Sequence, residues 1–134
     1  MRKSLFALLI TVAWTISATA QINISTDLRQ DAIWDMTNEE WSVFSSDDEQ
    51  LTFFVIDEDF TMFTHITPNL ESAYLIRSQE YDEVNNQYSF DVVSDVGNEY
   101  LMVLDVIDEN IRILYESGEE TLLIQHEIKR IWVD

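Results

Sequence analysis

The chain reads as an all-β protein, an antiparallel meander of about seven or eight strands. Three observations predict it. From Leu51 onward, runs of five to eight residues rich in Val, Ile, Phe, Tyr and Thr alternate with short clusters of Asp, Glu, Asn or Gly, the rhythm of strands joined by tight turns. The two glycines of the chain, Gly97 and Gly118, both fall in such clusters, whereas glycine inside a strand would weaken it. No gap between strand candidates reaches the dozen residues that a parallel crossover needs.

In chain order the candidate strands are LTFFVID, FTMFTHIT, SAYLIRSQEYDEV, QYSFDVVSD, EYLMVLDVI, IRILYES and TLLIQHEIKRIW. The turns between them centre on Glu58-Asp59, Pro68-Asn69, Asn85-Asn86, Gly97-Asn98, Glu109-Asn110 and Gly118-Glu119. Asn and Gly tolerate the positive φ of tight hairpin turns, so Asn85-Asn86 and Gly97-Asn98 are strong turn signals. Before Leu51 the pattern is less regular. Thr37 to Glu40 has the form of a capping box, and Trp34 and Trp41 are seven residues apart, so a short helix over Met36 to Phe44 is an expectation. A strand through EWSVFSS is the other reading.

Pairing across a two-residue loop at Asn85-Asn86 places Leu75, Arg77, Tyr81, Tyr88, Phe90 and Val92 on one face. Ser78, Glu80, Asp82, Ser89, Asp91 and Asp95 fall on the other, the alternation of a sheet with one wet side. EYLMVLDVI is apolar on both faces, as a central or covered strand would be. An up-and-down barrel, which removes sheet edges, is favoured over a two-layer sandwich. In size and meander the chain is similar to the lipocalin-like calycins, a resemblance of architecture that no motif carries further.

The first twenty residues, MRKSLFALLITVAWTISATA, have a cationic start at Arg2 and Lys3, an apolar core and an A-x-A site. That is the grammar of a secretory signal cleaved between Ala20 and Gln21, which leaves one domain over residues 21–134 that is secreted or periplasmic. Its apolar run is too short for a stable membrane anchor. No cysteine occurs, so a lipid anchor on cysteine and a disulfide framework are both excluded.

Charge narrows the partners. With Arg2 and Lys3 removed, five cations stand against 26 acids, a net charge of about −21. This repels phosphate backbones and anionic lipids, so nucleic acid is not expected. Hydrophobic residues make up 46% of the chain, too many for a disordered acidic tail, so the acids belong on the surface and in turns.

No catalytic constellation stands out. The two histidines, His65 and His126, lie far apart in sequence, no G-x-S-x-G occurs, and carboxylate pairs are too abundant to signal glycoside hydrolysis. An enzyme is therefore not expected, nor a cofactor. The stretch VIDEDFTMFTHITP sets Asp57 and Asp59 ahead of His65. A hairpin at Glu58-Asp59 puts six strand residues, about 20 Å, between His65 and Asp59. His65 then reads as a hydrogen-bonded strand residue, and Asp57 and Asp59 remain weak calcium candidates needing ligands from another loop.

Arg77 is costly to bury unpaired on an apolar face. With Tyr81, Tyr88 and Phe90 it forms the candidate ligand site of a barrel interior, where a guanidinium could meet a carboxylate. Trp132, after Lys129 and Arg130, reads as an anchor of the last strand. The functional expectation is a non-enzymatic binding domain with two versions: a small apolar or amphipathic ligand inside the barrel, or a basic protein on the acidic face. A structural or accessory envelope role and a calcium-stabilised surface domain are the alternatives.

Overall fold

The computed structural model describes residues 21–134; the leader expected at residues 1–20 lies outside them. Eight antiparallel strands follow one another: β1 (Ile22–Asp35), β2 (Glu40–Ile56), β3 (Met62–Ile66), β4 (Glu71–Asp82), β5 (Gln87–Ser94), β6 (Glu99–Asp105), β7 (Asn110–Ser117) and β8 (Glu120–Val133). Each pairs with its neighbour in sequence, and β1 pairs with β8 from Ile22↔Val133 to Ile33↔Leu122, closing an up-and-down barrel. No described residue is helical. Met36 to Glu39 is a turn and Glu40 to Phe44 the start of β2, so the expected short helix is corrected to a hairpin and the other reading, a strand through EWSVFSS, is the one observed.

That correction has a local cause. The Asp35 carboxylate accepts the backbone N–H groups of Thr37 and Asn38 and the Asn38 side-chain amide, at 2.9, 3.2 and 2.8 Å, and Glu39 ends the turn at φ 52°. Asp82 repeats the device with Val84 and Asn85, followed by Asn86 at φ 51°. Asp105 accepts from Asp108 N–H, followed by Glu109 at φ 56°. Each is a four-residue connection in which an aspartate satisfies turn amides that the strand ladder leaves free. Part of the acidity is therefore structural.

These longer turns alter the expected registers. Asp82↔Gln87 and Tyr81↔Tyr88 replace a two-residue loop at Asn85-Asn86, and Ile56↔Phe63 and Phe54↔His65 replace one at Glu58-Asp59. Asn110 is the first residue of β7, paired with Asp105, and not a turn residue. The Gly118-Glu119 turn is as short as expected, with Ser117↔Glu120 flanking it. A shift of two keeps each side chain on its face; a bulge does not. Arg77 is the extra residue of a bulge between Ile76 and Ser78. Ile76 consequently points inward, and Leu75 and Arg77, expected inside, lie exposed on the outer wall.

The barrel has two unlike halves. The end carrying the start of β1, the end of β8 and the turns after β2, β4 and β6 is packed solid. Ile22, Ile24, Phe54, Ile56, Phe63, Phe90, Met102, Leu104 and Ile111 are all at most 1% exposed there. Phe60 stacks on Phe90, and Val106 and Asn86 are joined by a backbone hydrogen bond across two turns. At the opposite end the inward residues are more polar, and Tyr74, Tyr100 and Tyr115 are only partly buried.

The doubly apolar β6 is explained by its neighbours. Met102 and Leu104 face the core, while Val103 lies between Ser89 and Arg112 on the outer face and is only 8% exposed. Beside it Asp105 is 2% exposed, accepting from Gln87 Nε2 at 2.9 Å and Arg112 Nη1 at 3.1 Å as well as from the Asp108 amide. Burial alone would push this carboxyl up, but the three donors outweigh it and hold its pKa below the usual range. Replacing Asp105 by Asn should cost about 2 kcal/mol in urea unfolding at neutral pH. Because the folded pKa is the lower one, that advantage is present above about pH 4 and lost as pH falls further. Wild type and D105N should therefore converge in strong acid.

Candidate functional site

Above the sealed core lies a chamber of about 190 Å³, lined by Arg29, Phe63, His65, Tyr74, Val92, Tyr100, Ile113, Tyr115, Ile124 and His126. Its walls follow from strand alternation. Tyr74 on β4, Tyr100 on β6 and Tyr115 on β7 continue the inward rows that supply Ile76, Met102 and Ile111 deeper down. Their rings form one chain: Phe63 stacks on Tyr74 at 4.7 Å, Tyr74 meets Tyr100 edge-on at 6.0 Å, and Tyr100 meets Tyr115 edge-on at 5.6 Å. Burial raises the Tyr74 pKa, so it presents a phenol and not a phenolate at neutral pH.

The opposite wall is polar. Arg29 on β1 pairs in register with His126 on β8. Asp31, two residues along β1, accepts Nε and Nη2 of Arg29 at 2.8 and 3.0 Å, fixing the guanidinium plane. Raised above its usual value by Asp31, Arg29 is a permanent cation at the chamber wall.

Glu49 reaches His126 of this wall through an irregularity of the backbone. Thr26↔Thr52 and Leu28↔Asp48 are consecutive pairings, so Glu49, Gln50 and Leu51 bulge opposite the single residue Asp27. Leu51 takes φ 50° to accommodate them, and the kink turns Glu49 toward the interior. Its Oε1 lies 2.8 Å from His126 Nδ1 and 3.0 Å from Thr26 Oγ1. Burial pushes the Glu49 pKa up, but these hydrogen bonds and the histidine outweigh it, leaving a carboxylate.

His65 and His126 share one aromatic floor. The His65 ring stacks on Phe54 at 4.3 Å, His126 meets Phe54 edge-on at 5.1 Å, and the two imidazoles lie 5.4 Å apart. His126 is 1% exposed. Burial, then His126, pushes the His65 pKa down to about 4, so its ring is neutral at ordinary pH. Its Nε2 is buried and has no hydrogen-bond partner. Ligand atoms of Glu49, His65 and His126 all lie within 4.8 Å of one another, which sets one carboxylate beside two imidazoles that line the chamber.

The residues singled out by sequence fall elsewhere. Phe90 is fully buried in the closed end; Tyr88 lies beside it, stacked at 6.5 Å, and Tyr81 meets Tyr88 at 4.5 Å and donates to Asn86 Oδ1 at 2.9 Å. Arg77 makes a 2.6 Å ion pair with Glu99 on the outer surface, beside an open groove of about 700 Å³. Asp57 spends its carboxylate on its own turn, accepting Thr61 N–H at 2.8 Å and the Thr61 hydroxyl. His65 is a strand residue as expected, but its Nε2 lacks the hydrogen bond expected of it; its polar neighbours are Glu49 and His126, 16 and 61 positions away in sequence, and neither relation has a sequence signature.

Searches of protein-family models, curated proteins and solved structures give no match to this chain. The site is therefore read from its own geometry. That geometry rests on the bulge, and the positive φ of Leu51 should be visible in stability. A left-handed backbone costs an L-residue roughly 1–2 kcal/mol, and Leu51 is 71% exposed, so Leu51→Gly loses little packing. Thermal unfolding should show Leu51→Gly neutral or stabilising by up to about 1 kcal/mol, and β-branched Leu51→Ile destabilising by about 1 kcal/mol.

Proposed function

We propose that this protein is an exported binding barrel whose inner chamber holds a small aromatic or amphipathic molecule bearing one anionic group. The observation that carries the reading is the chamber itself: an aromatic wall of Tyr74, Tyr100 and Tyr115 faces the fixed cation Arg29 above a sealed apolar core. A ring lies against tyrosine faces at low cost, and a carboxylate or similar group finds the guanidinium. Size limits the class. About 190 Å³ is somewhat more than the roughly 150 Å³ cavity that takes benzene, so one or two rings fit where a long acyl chain does not. The secretory-signal grammar of residues 1–20 and the acidic composition support an extracytoplasmic, soluble setting.

Benzoate and benzyl alcohol separate the two parts of the chamber. Calorimetry should show benzoate bound in preference to a long-chain fatty acid. Arg29→Gln should weaken benzoate about tenfold, roughly 1.4 kcal/mol, while leaving benzyl alcohol nearly unchanged. Tighter binding of the fatty acid, or no binding of either aromatic, would overturn the reading.

A second reading uses the outside. β3 pairs with β2 only from Phe53 to Ile56, so the stretch from Glu40 to Gln50, with Asp47 and Asp48, has β1 alone as its neighbour. That acidic edge suits a basic protein partner, steered by a net charge of about −21. Such a complex should weaken strongly between low and physiological salt, and a pull-down whose captured proteins are all salt-insensitive would count against it.

A further inference from the structure

We propose that Glu49, His65 and His126 form a site for one divalent first-row transition-metal ion, of the zinc or cobalt type, at the floor of the chamber. Two imidazole nitrogens and one carboxylate oxygen are the mixed donor set such ions select, whereas calcium and magnesium prefer all-oxygen cages. The three donors come from three strands and lie within 4.8 Å of one another.

The spacing needs little adjustment. Metal bonds of about 2.0–2.1 Å set neighbouring ligand atoms roughly 2.9 Å apart in an octahedron and 3.3 Å in a tetrahedron. Glu49 Oε1 and His126 Nδ1 already lie 2.8 Å apart. The widest pair has to close by about 1.5 Å, a side-chain adjustment for a half-buried histidine on a strand.

A second observation points to a missing partner. Nε2 of His65 is buried without any hydrogen-bond partner, an arrangement that costs about 1–3 kcal/mol when nothing fills it. The chamber opens directly onto this ring. The surroundings fit a ligand set as well. Thr26 Oγ1 donates to Glu49 Oε1 at 3.0 Å and orients the carboxylate, and Phe54 supports both imidazoles from beneath. The nearest cation, Arg29, is held bidentately by Asp31, which offsets its repulsion of a bound ion. Three protein ligands leave at least one coordination position facing the tyrosine wall, where water or an anion would complete the sphere.

The test uses the mature chain stripped with a chelator and titrated with Co²⁺ alone, followed by visible absorption, and with Zn²⁺ followed by native mass spectrometry. No organic ligand is present, so the outcome is independent of the chamber's proposed aromatic ligand. One equivalent should bind, with the d–d bands of nitrogen-containing coordination. His65→Phe keeps the stack on Phe54 and Glu49→Gln keeps the acceptor for Thr26. Each should lower affinity by more than about 100-fold, beyond the 10–100-fold that loss of an outer-shell partner costs. Asp59→Asn, which removes an exposed acid, should leave it unchanged. Circular dichroism establishes that each variant is folded. Binding that survives both His65→Phe and Glu49→Gln, or cobalt taken up without d–d bands, would assign the metal to the acidic surface and overturn the proposal, as would no binding at all.

Discussion

The pairing of β1 with β8 is the constraint on which the rest depends. Without disulfides or helices among the described residues, the sheet has no second layer to pack against, and only closure gives it an inside. Closure fixes eight strands around a space just wide enough for side chains. What those side chains are then decides whether the space is core or chamber. At the end where β1 starts and β8 ends, Phe54, Phe63, Phe90 and the surrounding Ile and Leu residues fill it. At the other end tyrosines, an arginine and histidines stand apart from one another and leave room.

Departures from regular pairing place the chemistry. A uniform ladder would alternate every residue in and out, and neither Glu49 nor Arg77 would sit where it does. Three residues of β2 opposite one of β1 bring Glu49 inside, at the cost of a left-handed Leu51. One extra residue in β4 puts Arg77 outside, where Glu99 pairs with it. Bulges often lie next to functional sites because they re-aim single side chains without dismantling the sheet. Here one brings Glu49 against His126 beside the chamber and the other removes the arginine that the pattern had assigned to the interior, with Arg29 on β1 supplying the interior cation instead.

The acidic composition resolves into separate jobs. Asp35, Asp57, Asp82 and Asp105 cap turns through their carboxylates. Asp31 orients Arg29 and Glu49 meets His126 inside the barrel. Others, including Asp47 and Asp48, remain on the surface and keep the net charge strongly negative. The chain thus uses one residue type for local backbone satisfaction, for interior polarity and for solubility. Abundance alone distinguishes none of these.

What the sequence by itself determined was the class and the rhythm: an antiparallel meander, its strands after Leu51, the placement of Gly97 and Gly118 in turns, and a one-sided alternation along β5. These are legible because strand period and turn chemistry act over a few residues. The first strand was not, and Met36 to Phe44 stayed open between helix and strand, since aspartate-capped turns imitate a helix start and long, half-exposed strands carry little alternation. The site lay further still from view. Glu49, His65 and His126 meet only because β2 neighbours β3 on one side and β1 on the other, and β1 in turn neighbours β8 through barrel closure. Closure and bulge are properties of the whole sheet, so only the tertiary structure could bring those three side chains to one floor.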